Sequence, residues 1–136
     1  MMNDITYRVN LPLHVSEMIE LYRHCSLGAR RPTEEPERMQ KMLDNANLVI
    51  TAWSQDKLVG IARCLTDFTY TTYLADLAVH DDFQKQGIGQ QLIKEVQNNT
   101  EKHCRIVLLA APAAVDYYPH IGFTAHSSAW TLLKDE

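Results

Sequence analysis

Six residues, Gln84-Lys85-Gln86-Gly87-Ile88-Gly89, lie between a stretch that reads as a strand, Tyr73 to Val79, and one that reads as an amphipathic helix. Glycines at 87 and 89 leave a backbone with no Cβ to hold a ligand away. The helix that starts there turns its unpaired N–H groups and the positive end of its dipole toward the same point. Such a corner binds phosphate. A Gly-x-Gly before a helix is also the form of an ordinary tight loop, so the assignment rests on its surroundings. They exclude a dinucleotide-binding fold: Leu92 stands where a third glycine belongs, the glycines do not follow the strand directly, and an antiparallel hairpin comes first.

Other reactive residue types are less well placed. His80, Asp81 and Asp82 are adjacent at a strand end and cannot converge on one ion, so no metal site is expected. His24 and Cys25 are neighbours on a helix and point different ways, a poor base and nucleophile. Cys25, Cys64 and Cys104 show no Cys-x-x-Cys spacing and are expected as reduced thiols. Arg30-Arg31 either holds an anionic group of a substrate or forms a solvated pair balanced by Glu34, Glu35 and Glu37. Tyr70 and Tyr73 either line a pocket or simply favour a strand.

The elements that must hold these groups follow from periodicity. Ile5 to Val9 is a short strand, and Ser16 caps a helix bearing Met18, Ile19 and Tyr22. Leu27 to Glu37 is a polar loop with Pro32 and Pro36, followed by a second helix with Met39, Met42 and Leu43 on one stripe. Leu48–Trp53 and Leu58–Leu65 form an antiparallel hairpin, and Tyr70 to Val79 continues the sheet. Ile88, Leu92, Ile93 and Val96 make one apolar helix face. Arg105 to Ala110 reads as a strand covered on both faces, and the unit from 73 to 110 as a parallel crossover. Pro112 opens a short helix ending before Pro119, and a last hairpin pairs Phe123–Ala125 with Trp130–Leu133.

The chain has 136 residues, enough for one domain that buries roughly two thirds of its unfolded surface. Apolar residues make up 46% and charged residues 22%, as in ordinary soluble proteins, and no apolar run approaches a membrane span. A net charge of −4, with the basic residues scattered, argues against a nucleic-acid surface. The first residues lack the pattern of a secretory leader, from which a cytoplasmic location is expected.

The pattern Gln-x-x-Gly-x-Gly at 84 to 89, entered from Leu77-Ala78-Val79 and followed by Tyr117-Tyr118-Pro119-His120-Ile121-Gly122-Phe123, resembles the GNAT superfamily of N-acetyltransferases. The resemblance spans the whole chain, residues 1–136, as a single domain. It implies an α/β fold with a mixed, mostly antiparallel sheet, splayed at one parallel strand pair and flanked by helices. It also implies acetyl-CoA as cofactor and direct transfer of acetyl to a primary amine, most simply a small molecule. A protein lysine or N-terminus as acceptor, and an acyl-CoA-binding regulatory module without catalysis, are the rival readings. A homodimer is compatible with the edge strands near the C-terminus.

By the same resemblance, the backbone of Leu77, Ala78 and Val79 lies beside the pantetheine arm. The amides of Gln84, Lys85, Gln86, Gly87, Ile88, Gly89 and Gln90 hold the pyrophosphate. Tyr118 matches the position near the thioester sulfur, where a phenol can protonate the departing thiolate. The amide of Val79 or a strand neighbour would steady the oxyanion. The strand 73–79 is similar to that of glucosamine-6-phosphate N-acetyltransferases, with Ala75-Asp76 where those carry two acids. Asp76 therefore either relays a proton through water or serves as a structural hydrogen-bond acceptor. Tyr73 replaces the base glutamate of histone-type members, and Ala111 replaces an asparagine that contacts the cofactor arm.

Overall fold

The computed structural model describes residues 4–134. Five strands lie side by side in chain order: β1 (Ile5–Val9), β2 (Leu48–Ser54), β3 (Lys57–Thr66), β4 (Thr71–Val79) and β5 (Arg105–Val107). The first four are antiparallel neighbours, and β4 and β5 run parallel. This mixed, mostly antiparallel α/β architecture is the one expected. The parallel ladder holds only from Thr71↔Arg105 to Tyr73↔Val107, after which the two strands part.

Helices cover both faces. On one, α3 (Ile88–Asn98) sets Ile88, Leu92, Ile93 and Val96 against Ile50, Val59, Ala62 and Leu74. On the other, α1 (Val15–Arg23) and α2 (Pro36–Asp44) bring Met18, Tyr22 and Met39 against Val49, Ile61 and Ala78. A short 3-10 helix, Ser26–Arg30, joins α1 to the loop before α2. The α3 packing depends on Gly60, where an added Cβ would lie 3.1 Å from Ile88 and 3.2 Å from Leu92. Overpacking at such a place costs about 1–3 kcal/mol. Gly60→Val is therefore expected to lower stability by that much in urea unfolding.

A register shift opposite Arg63 and Cys64 pairs Arg63 with Asp76 but Cys64 with Leu74, so Ala75 is the extra residue of a bulge in β4. The bulge reverses the strand's facing. Leu74, Leu77 and Val79 pack toward α3, while Ala78 packs toward α1.

Four expectations need correction. The residue capping α1 is His14, without a side-chain bond, and Ser16 lies inside the helix, where Glu17 and Arg23 match the dipole instead. β5 is three residues long and covered on one face: Ile106 and Leu108 reach the core, whereas Val107 and Leu109 are exposed. Pro119 lies within the single turn α4 (Tyr117–His120) rather than after it, at a first-turn position where no helical N–H is lost. The terminal hairpin is not formed, since no described residue from 123 to 134 is in a strand. Among the described residues, no helix is long and apolar enough to cross a membrane.

Candidate active site

Where β4 and β5 part, the fold leaves a cleft of about 690 Å³. Leu77, Ala78 and Val79 form its floor, Cys25, Ser26 and Leu27 one wall, and Ala114, Tyr117 and Tyr118 another. Its far end is the loop from Asp81 to Gly89 with Gln90 beyond. The His80 N–H donates to the Val59 carbonyl on β3. Strand alternation then turns the backbone groups of Leu77 and Val79 to the opposite edge, into the gap where a partner strand is missing. The Val79 carbonyl is already taken there by Gln84 Nε2 at 3.0 Å, which leaves its N–H as the free group.

Lys85 and Gly87 both have left-handed backbone, with φ of 64° and 82°. The first bond into α3 runs from the Gln91 N–H to the Gly87 carbonyl, so the N–H groups of Ile88, Gly89 and Gln90 have no partner within the helix. A Cβ at Gly87 would meet nothing within 4 Å, which leaves the approach to those amides open. Gly89 has another purpose: an added Cβ would lie 2.9 Å from the Tyr117 hydroxyl, so this glycine makes room for Tyr117. The bond from the Asp81 N–H to the His24 carbonyl, 2.9 Å, fastens the loop to the end of α1. His24 and His80 stack at 4.8 Å behind it.

Tyr118 is half-buried, edge-on to Phe123 at 5.4 Å and to Tyr117 at 5.3 Å. Burial, with Tyr117 adding to it, raises its phenol above the ordinary value, so it remains a proton donor through neutral pH. Burial likewise raises the Cys25 thiol and keeps it protonated on the cleft wall.

Asp76 is turned elsewhere. It is 1% exposed and accepts from Tyr22 Oη, Arg31 Nε and Arg63 Nε, each at 2.6 Å. Burial alone would raise its pKa, but the hydrogen bond and charge of Arg63, then Tyr22 and Arg31, bring it below the usual value. A carboxylate so held is a weak proton acceptor, and Asp76 is not among the residues that line the cleft. Of the two roles open to it in the sequence, the arrangement supports the structural one.

Arg31 belongs to the same hub. Its Nη2 donates to the Ala75 carbonyl at 3.0 Å, on the bulge, and its Nη1 to the Arg30 carbonyl at 2.8 Å. It is neither a solvated partner of the glutamates nor free for an acceptor, while Arg30 is exposed. Arg63 Nη1 donates to the Met42 carbonyl at 3.2 Å, so the hub ties α1, α2 and the 3-10 segment to β4. Tyr70 lies before β4, its ring under the Arg105 guanidinium and its hydroxyl accepting from Arg105 Nη2. Tyr73 is the last residue paired with β5 before the splay. Neither lines the cleft, and nor does Gln86. Ile88 borders the cleft but is buried, its side chain packed in the core.

The sequence reading missed Tyr117 and the wall from Cys25 to Leu27. The Tyr-Tyr pair was a visible signal for the first. The second had none, because only packing of the 3-10 helix against β4 places it there. Among the described residues, no group of three or more His, Cys, Asp or Glu is placed to hold a metal.

Residues 28–131 match the family model described as acetyltransferase (GNAT) domain, and the chain belongs to the GNAT acetyltransferases. It is 33% identical over 116 residues to the uncharacterized N-acetyltransferase ycf52-like of Prochlorococcus marinus, covering 79% of this chain. The match spans 63% of that relative's length. Its fold is similar to a GNAT-family acetyltransferase, SP0256, of Streptococcus pneumoniae, with a TM-score of 0.78, 23% identity and 98% of each chain covered. It is also similar to the aminoglycoside N-acetyltransferase AAC(6')-Iy in complex with CoA, with a TM-score of 0.73, 19% identity and coverage of 98% of this chain and 97% of that one.

Proposed function

We propose that this chain transfers acetyl from acetyl-CoA to the primary amine of a small molecule, by direct attack with both substrates bound. The observation that carries the proposal is the continuity of the cleft: unpaired strand edge, left-handed loop and open helix start follow one another along a single path. The donor set fits a long ligand with an anionic diphosphate and an amide-bearing arm. Bound acetyl-CoA supplies the activated thioester carbonyl. The N–H groups of Gly87 to Gln90 would hold the pyrophosphate, with Lys85 adding charge. The Leu77 backbone and the Val79 N–H would pair with the arm as a missing strand would, and these amides also serve a developing oxyanion. Tyr118 would hold the proton that the thiolate needs as it leaves.

No carboxylate in the hub is free to act as base. In this route the amine loses its proton to water before attack, and kcat/KM is expected to rise with pH up to the pKa of the amine. A flat profile across that range would contradict this route. A cytoplasmic site of action belongs to the same reading and is checked by fractionation.

Thiol release from acetyl-CoA should be measured against a panel of amines, amino acids, amino sugars, polyamines and peptides, beside calorimetric titration of CoA. Release with one class of small amine supports the proposal. Release with peptides alone would replace the acceptor, and tight binding with no release would favour the regulatory module. Absence of CoA binding would overturn the reading. Gly87→Glu is expected to weaken CoA by about tenfold or more, since it sets a carboxylate against the phosphate path. Gly87→Asn, which tolerates left-handed backbone, serves as the control for strain. Equal affinities in wild type and Gly87→Glu would remove the phosphate from this loop.

A further inference from the structure

The loop that follows β4 is held from behind by two histidines. It begins with a single 3-10 turn, Asp81–Phe83, and His24 and His80 take all three N–H groups of that turn. Asp81 donates to the His24 carbonyl at 2.9 Å, Phe83 to the His80 carbonyl at 2.8 Å, and Asp82 to Nδ1 of the His80 ring at 3.1 Å. The last of these bonds fixes a proton. A ring nitrogen that accepts carries none, so the neutral His80 ring bears its proton on Nε2. His24 is set the other way, its Nδ1 donating to the Glu20 carbonyl at 2.9 Å. The two rings lie nearly parallel, 11° apart with centroids at 4.8 Å, and Phe83 meets His80 edge-on at 5.8 Å. His80 is 5% exposed, and its own N–H is tied to the Val59 carbonyl at 2.8 Å, which anchors it to β3.

We propose that His80 is a positioning residue of the cofactor loop, holding the turn in its binding form only while its ring is neutral. The role rests on the cleft being an acetyl-CoA site. A proton on Nδ1 replaces the acceptor with a donor, and two N–H groups then face each other where one bond stood. Slack in the turn passes on to the left-handed residues Lys85 and Gly87, which follow it along the loop. His80 borders a separate hollow of about 380 Å³ and not the cleft, so it acts through the loop rather than on the cofactor. Around that hollow stand Glu17, Glu20 and His24 of α1, with Asp56 and Lys57 from the turn between β2 and β3. Burial, then Lys57 and His24, oppose a proton on His80, while Asp82, 4.0 Å from Nδ1, and Asp81 favour one; the balance holds its pKa below the usual value. A loosened turn returns the ring to its ordinary value of about 6.5, so a fall in pH through that range favours the loosened form. CoA needs the closed loop, and its affinity falls with it.

Calorimetric titration with CoA at pH 8 and pH 5.5 tests this with two variants. Asparagine sets a carbonyl oxygen where Nδ1 stands, and that oxygen is not protonated in this range. His80→Asn should bind CoA as the wild type does at pH 8. On going to pH 5.5 the wild type should lose about fivefold more affinity than His80→Asn, the contribution of one net hydrogen bond. Comparing the two removes the titration of CoA's own phosphates. His80→Phe keeps a ring against His24 but not the acceptor, so it should weaken CoA by about fivefold at pH 8 and raise KM with little change in kcat. Without ligand, NMR of the wild type should show the His80 ring protonated on Nε2 at pH 8 and the Asp82 amide shifting in step with the ring as it titrates. His80→Asn should lack that step. Equal pH dependence in wild type and His80→Asn would overturn the proposal, as would wild-type affinity in His80→Phe or a ring protonated on Nδ1 at pH 8. If CoA fails to bind at either pH while the Asp82 amide still follows the ring, the acetyl-CoA reading falls and the proposal with it, and only the bond between His80 and the turn stands.

Discussion

Tyr118→Phe is expected to leave CoA affinity nearly unchanged and to lower kcat by about a hundredfold or more, the range for loss of a positioned general acid. The substitution removes one oxygen. The ring that packs on Phe123 and Tyr117 stays, so cleft shape and fold are preserved. The pH profile gives a second readout. Burial raises the phenol pKa, so the wild-type donor remains protonated to above the ordinary tyrosine value of about 10, and its loss appears only as a fall in rate at strongly alkaline pH. Tyr118→Phe should lack that fall. If the variant loses CoA binding instead, the hydroxyl is a ligand contact and the proton comes from elsewhere. If kcat is unchanged, the neighbouring Tyr117, whose hydroxyl lies over Gly89, becomes the group to test.

The second large effect is on stability. Asp76→Asn leaves Arg63 and Arg31 facing a neutral amide that cannot match their charge, and removing one member of a buried ion pair costs about 3–5 kcal/mol. Chemical denaturation measures it. Because the folded pKa of Asp76 lies below its unfolded value of about 3.9, its contribution is complete above that value and is lost as pH falls through the folded pKa. The difference between wild type and variant should therefore be full at neutral pH and shrink only below about pH 4. Arg31→Leu should cost less in the Asp76→Asn background than in the wild type, as coupled partners do. A stable Asp76→Asn protein with greatly reduced kcat would overturn the structural role and restore Asp76 as a proton relay.

The hub also accounts for the position of the cleft wall. Arg31 reaches the Ala75 carbonyl on the bulge while its own segment carries Cys25 to Leu27 past β4. The same few bonds thus set the facing of the strand and the distance of the wall from it.

The order of elements through Val107, the amphipathic α3 and a glycine-bearing turn before it were legible in the sequence. All depend on local preference: apolar spacing of 2 or 3.6, and glycine where φ is positive. That the loop before α3 and Tyr118 border one cleft was legible for the same reason, since each belongs to a short contiguous motif. What Asp76 does was decided by residues 13, 45 and 54 positions away, Arg63, Arg31 and Tyr22, which share no local pattern with it. The bulge at Ala75 was equally hidden, because a single extra residue reverses a strand's facing without altering its composition. The absent terminal hairpin shows the same limit. Trp130 to Leu133 has the alternation and propensity of a strand, but a strand exists only where another edge accepts its hydrogen bonds, and that partner is set by the folded molecule. Local chemistry could be read from the chain, whereas long-range pairing and burial, which decide whether a carboxylate is a base or an anchor, required the tertiary structure.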